Sequence, residues 1–167
     1  QKDQTTLIKA INIANRKINI RALIIGKGIL MKKLKNLISK YNLQESVKLI
    51  GYKKNPYKYI KKAEIFILTS TFEGHPNVLI EAQYLKKFII SSNCPTGPRE
   101  ILNNGKFGKL FNVKKYNELA KLIIDYRKDI NNIKKINLGY KNLKKYNLEK
   151  NCNAYLKAIN NISNTYY

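Results

Sequence analysis

Two carboxylates with seven residues between them, Glu73 and Glu81, border the chain's only histidine in the stretch FEGHPNVLIEA, residues 72–82. Pro76 favours a helix start, so Glu73 falls in a loop and Glu81 lies just past the first helical turn. Helical side chains lean toward the amino end, which carries Glu81 over the surface near Asn77. Both carboxylates then border one mouth, where a helix dipole and free backbone N–H groups suit an anion, a phosphate above all. Carboxylates themselves accept hydrogen bonds from vicinal hydroxyls, as a ribose or hexose offers. Phosphate on the amides and hydroxyls on the glutamates make one self-consistent arrangement. A metal is not expected, because no further carboxylate or histidine ligand lies close in sequence. His75 reads as a shape or contact residue of the loop, not as a general base.

Which elements position this stretch follows from hydrophobic periodicity. Leu7, Ile8, Ile11 and Ala14 recur at helical spacing and predict a helix over residues 4–17. The run Ala22-Leu-Ile-Ile25, ending at Gly26, reads as a strand buried on both faces. A helix through Leu30, Leu34, Leu37, Ile38 and Tyr41 follows, then a strand over 47–50 closed by Gly51. Pro56 opens a short helix, 65–68 is a strand, Pro76 opens another helix, and 88–90 is a strand. A helical turn over 98–102, a small strand over 109–111 and a helix from 118 to about 126 complete the pattern.

Short apolar strands separated by helices predict an α/β domain, Rossmann-like, with a doubly wound parallel sheet. Ligands of such sheets bind beyond the carboxyl ends of the strands. That rule selects four loops: residues 26–28 with Gly26 and Gly28, 51–54 with Tyr52 and Lys53, 70–76, and 91–98 with Gly97. Beyond residue 126 the chain is polar and only weakly amphipathic, with Tyr155, Ile159 and Ile162 on one stripe of a helix over 148–162. That segment is expected either to pack on the domain or a partner, or to be a solvated tail.

At 167 residues and 44% hydrophobic content the chain is long and apolar enough for one folded domain. It holds no apolar run long enough for a transmembrane helix, and QKDQTT is neither a signal peptide nor a start at Met. Cys94 and Cys152 match no metal or redox spacing and read as free thiols of a cytoplasmic protein. The net charge is +23, yet only Arg16, Arg21, Arg99 and Arg127 among 33 basic residues are arginine. Lysine arriving with abundant Asn, Ile and Tyr reads as a composition-wide bias. An anionic membrane surface is the next reading, and nucleic acid, which favours arginine for bidentate contacts, is not expected as a partner.

The stretch 72–82 resembles the E-x7-E motif of the retaining glycosyltransferases of family 4, which have the GT-B fold of two Rossmann-like halves. The likeness extends in order and spacing through ALIIGKG (22–28), VKLIGYKKNP (47–56), SSNCPTGPREIL (91–102) and NGKFGKL (104–110). It implies a nucleoside-diphosphate sugar donor, a UDP-sugar above all, and a glycan or lipid-linked acceptor in bacterial polysaccharide or lipopolysaccharide synthesis. Glu81 would bind the ribose hydroxyls and Glu73 the donor sugar, with the backbone around Gly74, His75, Pro76 and Asn77 lining the sugar and diphosphate. The backbone of Tyr52 and Lys53 would face the base, and Lys2 would meet the diphosphate beside an arginine that precedes residue 1. By this likeness residues 1–125 are the donor-binding domain without its first strand, and 126–167 pack on it or on an absent amino-terminal half. Such a piece is expected to be inactive alone, to need no metal or cofactor, and to work in the cytoplasm, with peripheral membrane contact through lysines such as Lys53, Lys54, Lys61 and Lys62. The competing class is a basic, non-enzymatic module for nucleic acid or anionic membrane, whose affinity would ignore Glu73 and Glu81.

Overall fold

A computed structural model describes residues 1–147 together with Cys152, Asn153 and Leu156. The stripe of Tyr155, Ile159 and Ile162 lies outside the described residues.

The first helix, α1 (Gln4–Ala14), starts where Asp3 caps it: the Asp3 carboxylate accepts from the Thr6 N–H at 3.3 Å and from the Thr6 hydroxyl at 2.6 Å. Removing the cap in Asp3→Ala costs about 1 kcal/mol, read as a lower denaturant midpoint with unchanged slope. The helix ends at Ala14, three residues earlier than the periodicity suggests, because residues 15–17 turn back through bonds from the Lys17 and Ile18 N–H groups to the Ala14 carbonyl.

After α1 the chain alternates strictly. Strand β1 (Ala22–Ile25), helix α2 (Met31–Lys40), strand β2 (Val47–Gly51) and helix α3 (Tyr57–Lys62) form the first part. Strand β3 (Ile65–Leu68), helix α4 (Asn77–Tyr84), strand β4 (Phe88–Ser92), helix α5 (Pro98–Ile101), strand β5 (Lys109–Phe111) and helix α6 (Tyr116–Asp125) form the second. Three-residue-per-turn helix follows at Tyr126–Lys128 and Leu143–Tyr146, on either side of helix α7 (Asn132–Asn142). All strand pairs are parallel.

The strands group into two sheets, β1–β2 and β3–β4–β5, with β4 in the middle of the second. The expected continuous sheet is thus divided, since β1 and β3 do not pair among the described residues. This corrects one detail of the sequence reading: Leu23 of β1 is 51% exposed rather than buried on both faces. Helices α1 and α2 both pack on the side of β1 that carries Ile24, which is buried, while Leu23 on the opposite face stays exposed. β4, flanked on both sides, is buried at every residue.

Helix α1 joins the two sheets. Its Ala10 and Ala14 sit in one core with Phe88, Ile90, Leu119 and Ile123, while Ile8 and Ile11 sit in another with Ile24, Leu34, Ile38 and Val47. Small alanines on the first face allow close approach to α6, and bulky isoleucines on the other fill the space over β1 and β2. A third core of Leu68, Leu79, Ala82, Ile89, Ile101 and Leu102 fixes α4 and α5 to β3 and β4. Helix α7 is no solvated tail. Its Gly139 is buried so closely against Gln83 of α4 that an added Cβ would meet Gln83 Nε2 at 3.3 Å, and Tyr140 lies 6.4 Å from the Tyr84 ring.

Candidate functional site

Strand β3 delivers the chain into a loop whose polar groups are organised around Glu73. This carboxylate is 6% exposed. Its Oε1 accepts from Lys2 Nζ at 2.6 Å and from the Ser70 hydroxyl at 2.5 Å. Burying a carboxylate is costly unless it is paired and hydrogen-bonded, and here it is both. The Thr96 hydroxyl donates to the Glu73 carbonyl, and the Ser92 hydroxyl donates to the Ser70 carbonyl at 2.6 Å. The loop after β3 is therefore stitched to the loop after β4.

Lys2 is held in place by its backbone as well. The Thr69 hydroxyl donates to the Lys2 carbonyl at 2.7 Å, and the Thr71 N–H donates to the Gln1 carbonyl at 2.8 Å. Residues 1 and 2 thus run beside the end of β3, and the Lys2 ammonium meets a carboxylate 71 positions away.

Glu81 sits on α4, half-buried, and its carboxylate makes no hydrogen bond or ion pair among the described residues. The two glutamates differ accordingly: Glu73 is fixed through its Oε1, which takes both bonds, and the Glu81 carboxylate is free. Helix α4 begins at Pro76 with no side-chain cap, and only the Leu79 N–H is satisfied, by the Pro76 carbonyl at 2.9 Å. The Asn77 and Val78 amides at the positive end of the dipole are left for an outside acceptor. His75 is exposed, its Nδ1 lies 3.2 Å from Asn77 Oδ1, and its ring meets the Tyr146 ring edge-on at 6.0 Å. No acid or base partner addresses it.

Gly97 has φ 83° and approaches the Gly74–Pro76 backbone so closely that an added Cβ would lie 2.4 Å from Pro76 Cδ and 2.5 Å from the Gly74 oxygen. It is buried and acts as a spacer that lets the loop lie down on α5. Farther along the edge, the Gly26 N–H donates to the Gly51 carbonyl at 2.9 Å, joining the loops after β1 and β2. Gly26 and Gly51 have φ of 138° and 68°, while Gly28 and Gly74 face open space. Tyr52 is 65% exposed and Lys53 half-buried beside them.

Ser70 and Thr96 were not singled out from the sequence. Ser70 could have been, since a hydroxyl three residues before a loop carboxylate can bond it; Thr96 carried no local signal. Cys94 is 1% exposed beside this network, and burial pushes its thiol up, the Ser92 hydroxyl opposing and the Glu73 charge adding to the rise. Among the described residues no three of His, Cys, Asp and Glu gather as ligands for a metal ion. A shallow hollow of about 310 Å³ beside Asn15–Asn19 lies at the amino edge of β1 and includes none of these groups.

A parallel α/β domain whose strand-end loops present carboxylates, amides and a lysine is the half-molecule architecture of the GT-B glycosyltransferases. The chain belongs to the family of glycosyl transferases group 1, whose model matches residues 1–145. An uncharacterised glycosyltransferase of Methanocaldococcus jannaschii is 46% identical over 103 residues, 61% of this chain and 25% of that protein. The Campylobacter jejuni N-acetylgalactosamine-N,N'-diacetylbacillosaminyl-diphospho-undecaprenol 4-alpha-N-acetylgalactosaminyltransferase is 37% identical over 118 residues, 71% of this chain and 32% of that one. The chain thus spans about a quarter to a third of the length of these relatives. Among solved structures, HepE of Anabaena in complex with UDP superposes with a TM-score of 0.84 at 20% identity, covering 96% of this chain and 45% of that one. A TarM variant of S. aureus solved with UDP gives 0.86 at 24% identity, over 93% and 32%. At these identities the structures speak for the fold.

Proposed function

We propose that this chain is the donor-binding part of a retaining glycosyltransferase of family 4 that takes a UDP-sugar and passes a hexose or N-acetylhexosamine to a glycan or lipid-linked acceptor. The observation that carries this is the pairing of two unlike carboxylates across one helix start: Glu73 clamped by Lys2 and Ser70, and Glu81 free on α4. The free carboxylate suits the two ribose hydroxyls, and the clamped one a sugar hydroxyl that must be met in one orientation. The uncapped α4 amides and Lys2 suit the diphosphate. The UDP in the HepE and TarM structures and the diphospho-undecaprenol acceptor of the Campylobacter relative are in keeping with this donor and acceptor chemistry.

The reaction follows from charge. As the sugar departs with oxocarbenium character, negative charge gathers on the leaving diphosphate. A helix start and a lysine already in place stabilise that charge without reorganising. The glutamates orient hydroxyls in this scheme, and no metal or cofactor enters it. Neither glutamate is a glycosidase-type acid or nucleophile.

The divided sheet supports the same reading. Gln1 and Lys2 bond the end of β3 as the last residues of a parallel strand would, and such a strand would lie between β3 and β1. We place that strand, the arginine partner of Lys2 and an acceptor-binding half in residues preceding Gln1, so residues 1–125 with α7 form the donor half and the chain alone does not complete transfer. Transfer of cytoplasmic UDP-sugars puts the enzyme in the cytoplasm.

Titration calorimetry with UDP-sugars tests the proposal. Glu81→Ala weakens donor binding about tenfold to a hundredfold, the loss of one or two hydrogen bonds to a charged acceptor. Absence of any nucleotide affinity, with the strand before Gln1 restored, would overturn it.

A further inference from the structure

Every residue assigned to the donor lies before Pro98 in the chain, yet a much later segment reaches the same mouth. Helix α7 runs back along α4. Gly139 packs on Gln83 and Tyr140 lies beside Tyr84, at the carboxyl end of α4. The turn Leu143–Tyr146 then carries the Tyr146 ring to His75, just before the amino end of the same helix. Nothing in the spacing of residues 132–146 marks this approach; only the packing of α7 on α4 produces it.

The loop at that end is supported unevenly. On one side the Thr96 hydroxyl holds the Glu73 carbonyl, and Gly97 packs against the Gly74–Pro76 backbone. Elsewhere Gly74 faces open space, and no backbone hydrogen bond among the described residues engages the Gly74, His75 or Asn77 N–H. His75 is tethered through its side chain. Its Nδ1 lies 3.2 Å from Asn77 Oδ1, and its ring meets Tyr146 with centroids 6.0 Å apart and planes at 70°, the edge-to-face geometry that aromatic pairs favour. The Tyr146 side chain is half-buried, and Lys145 Nζ lies 4.9 Å from its centroid. Its hydroxyl is buried with no hydrogen-bond partner among the described residues. What Tyr146 offers the loop is therefore its ring. We propose that Tyr146 is a positioning residue of the donor site: its ring buttresses His75 and so fixes the Gly74, His75 and Asn77 amides that face the donor sugar and diphosphate. The proposal rests on the UDP-sugar reading of the site. Amides already held in place need no ordering when the donor binds, and that ordering would otherwise oppose binding.

In an enzyme carrying both halves, Tyr146→Ala raises the KM for the UDP-sugar about two- to tenfold, the worth of one aromatic pair. Its kcat and acceptor KM stay nearly unchanged, as loss of uniform donor binding requires. Tyr146→Phe keeps the wild-type donor KM. Having shed a buried hydroxyl without a partner, it also keeps or raises the thermal midpoint. His75→Ala raises the donor KM to a similar extent, and adding Tyr146→Ala to it changes nothing further, because the two side chains act through one contact. Tyr140→Ala is the control for a general loosening of α7: it removes the contact with Tyr84 and lowers the midpoint while the donor KM stays at the wild-type value. Four results would each overturn the proposal while wild-type donor binding stands: an unchanged donor KM in Tyr146→Ala, an equal loss in Tyr146→Phe, additivity with His75→Ala, or an equal rise in Tyr140→Ala. A wild-type enzyme without affinity for any UDP-sugar would overturn the donor reading and this proposal together.

Discussion

Glu73→Gln lowers sugar transfer by about a hundredfold or more while the protein keeps its fold. The amide has the size of the carboxylate, and its oxygen still accepts from the Ser70 hydroxyl, so Ser70 keeps its acceptor. What disappears is the charge opposite Lys2 and the charge-assisted acceptor for a donor hydroxyl. Hydrogen bonds to charged groups are worth about 1.5–3 kcal/mol, and each 1.36 kcal/mol is tenfold in rate, so losing one such contact and the alignment of Lys2 exceeds two decades. Glu73→Ala differs in kind: it strands Ser70 in a buried site and adds a stability cost of about 1–3 kcal/mol. Measured side by side in an enzyme carrying both halves, Gln should lose kcat/KM with its thermal midpoint nearly intact, and Ala should lose both. Wild-type transfer by Glu73→Gln would remove Glu73 from the donor site.

Gly97→Ala destabilises the domain by about 3 kcal/mol or more. A left-handed backbone costs an L-residue about 1–2 kcal/mol, and forcing atoms into a packed contact typically costs about 1–3. Here the added methyl falls within 2.5 Å of the Gly74 oxygen and Pro76 Cδ, and a backbone and a proline ring yield poorly. For a domain of this size that is a fall of roughly 6–12 °C in Tm. Relief by lifting the Gly74–Pro76 segment disturbs the start of α4, so donor affinity falls with stability. Gly74→Ala is the matched control, because its Cβ enters open space and its backbone is not left-handed. Equal midpoints for the two variants would refute the spacer role of Gly97.

Much of the fold was legible in local pattern. Runs such as 22–25, 65–68 and 88–90 read as strands because a parallel sheet hides both faces of most strands, leaving short apolar stretches between helices. β4 extends two residues further, to Ser92, since serines in its buried end carry no apolar signal but bond across to the neighbouring loop. Helix α6 begins at Tyr116 and α7 exists at all for a related reason: its sequence is polar, and its order comes from packing Gly139 and Tyr140 onto α4. The exposed face of Leu23 was misread because an apolar run does not tell which face of a strand the helices cover.

By itself the sequence determined the alternation of elements, the edge of the sheet where loops converge, and the two glutamates on either side of a helix start. These follow from spacing along the chain, which local sterics and periodicity convert directly into geometry. Only the tertiary structure decided that the two glutamates differ. Lys2 reaches Glu73 across 71 positions, Thr96 reaches it from the next loop, and Glu81 is left free. It also turned Gly97 from a loop glycine into the spacer beneath that loop. Contacts between distant residues are set by how strands stack and helices cross, and no spacing within one segment encodes them.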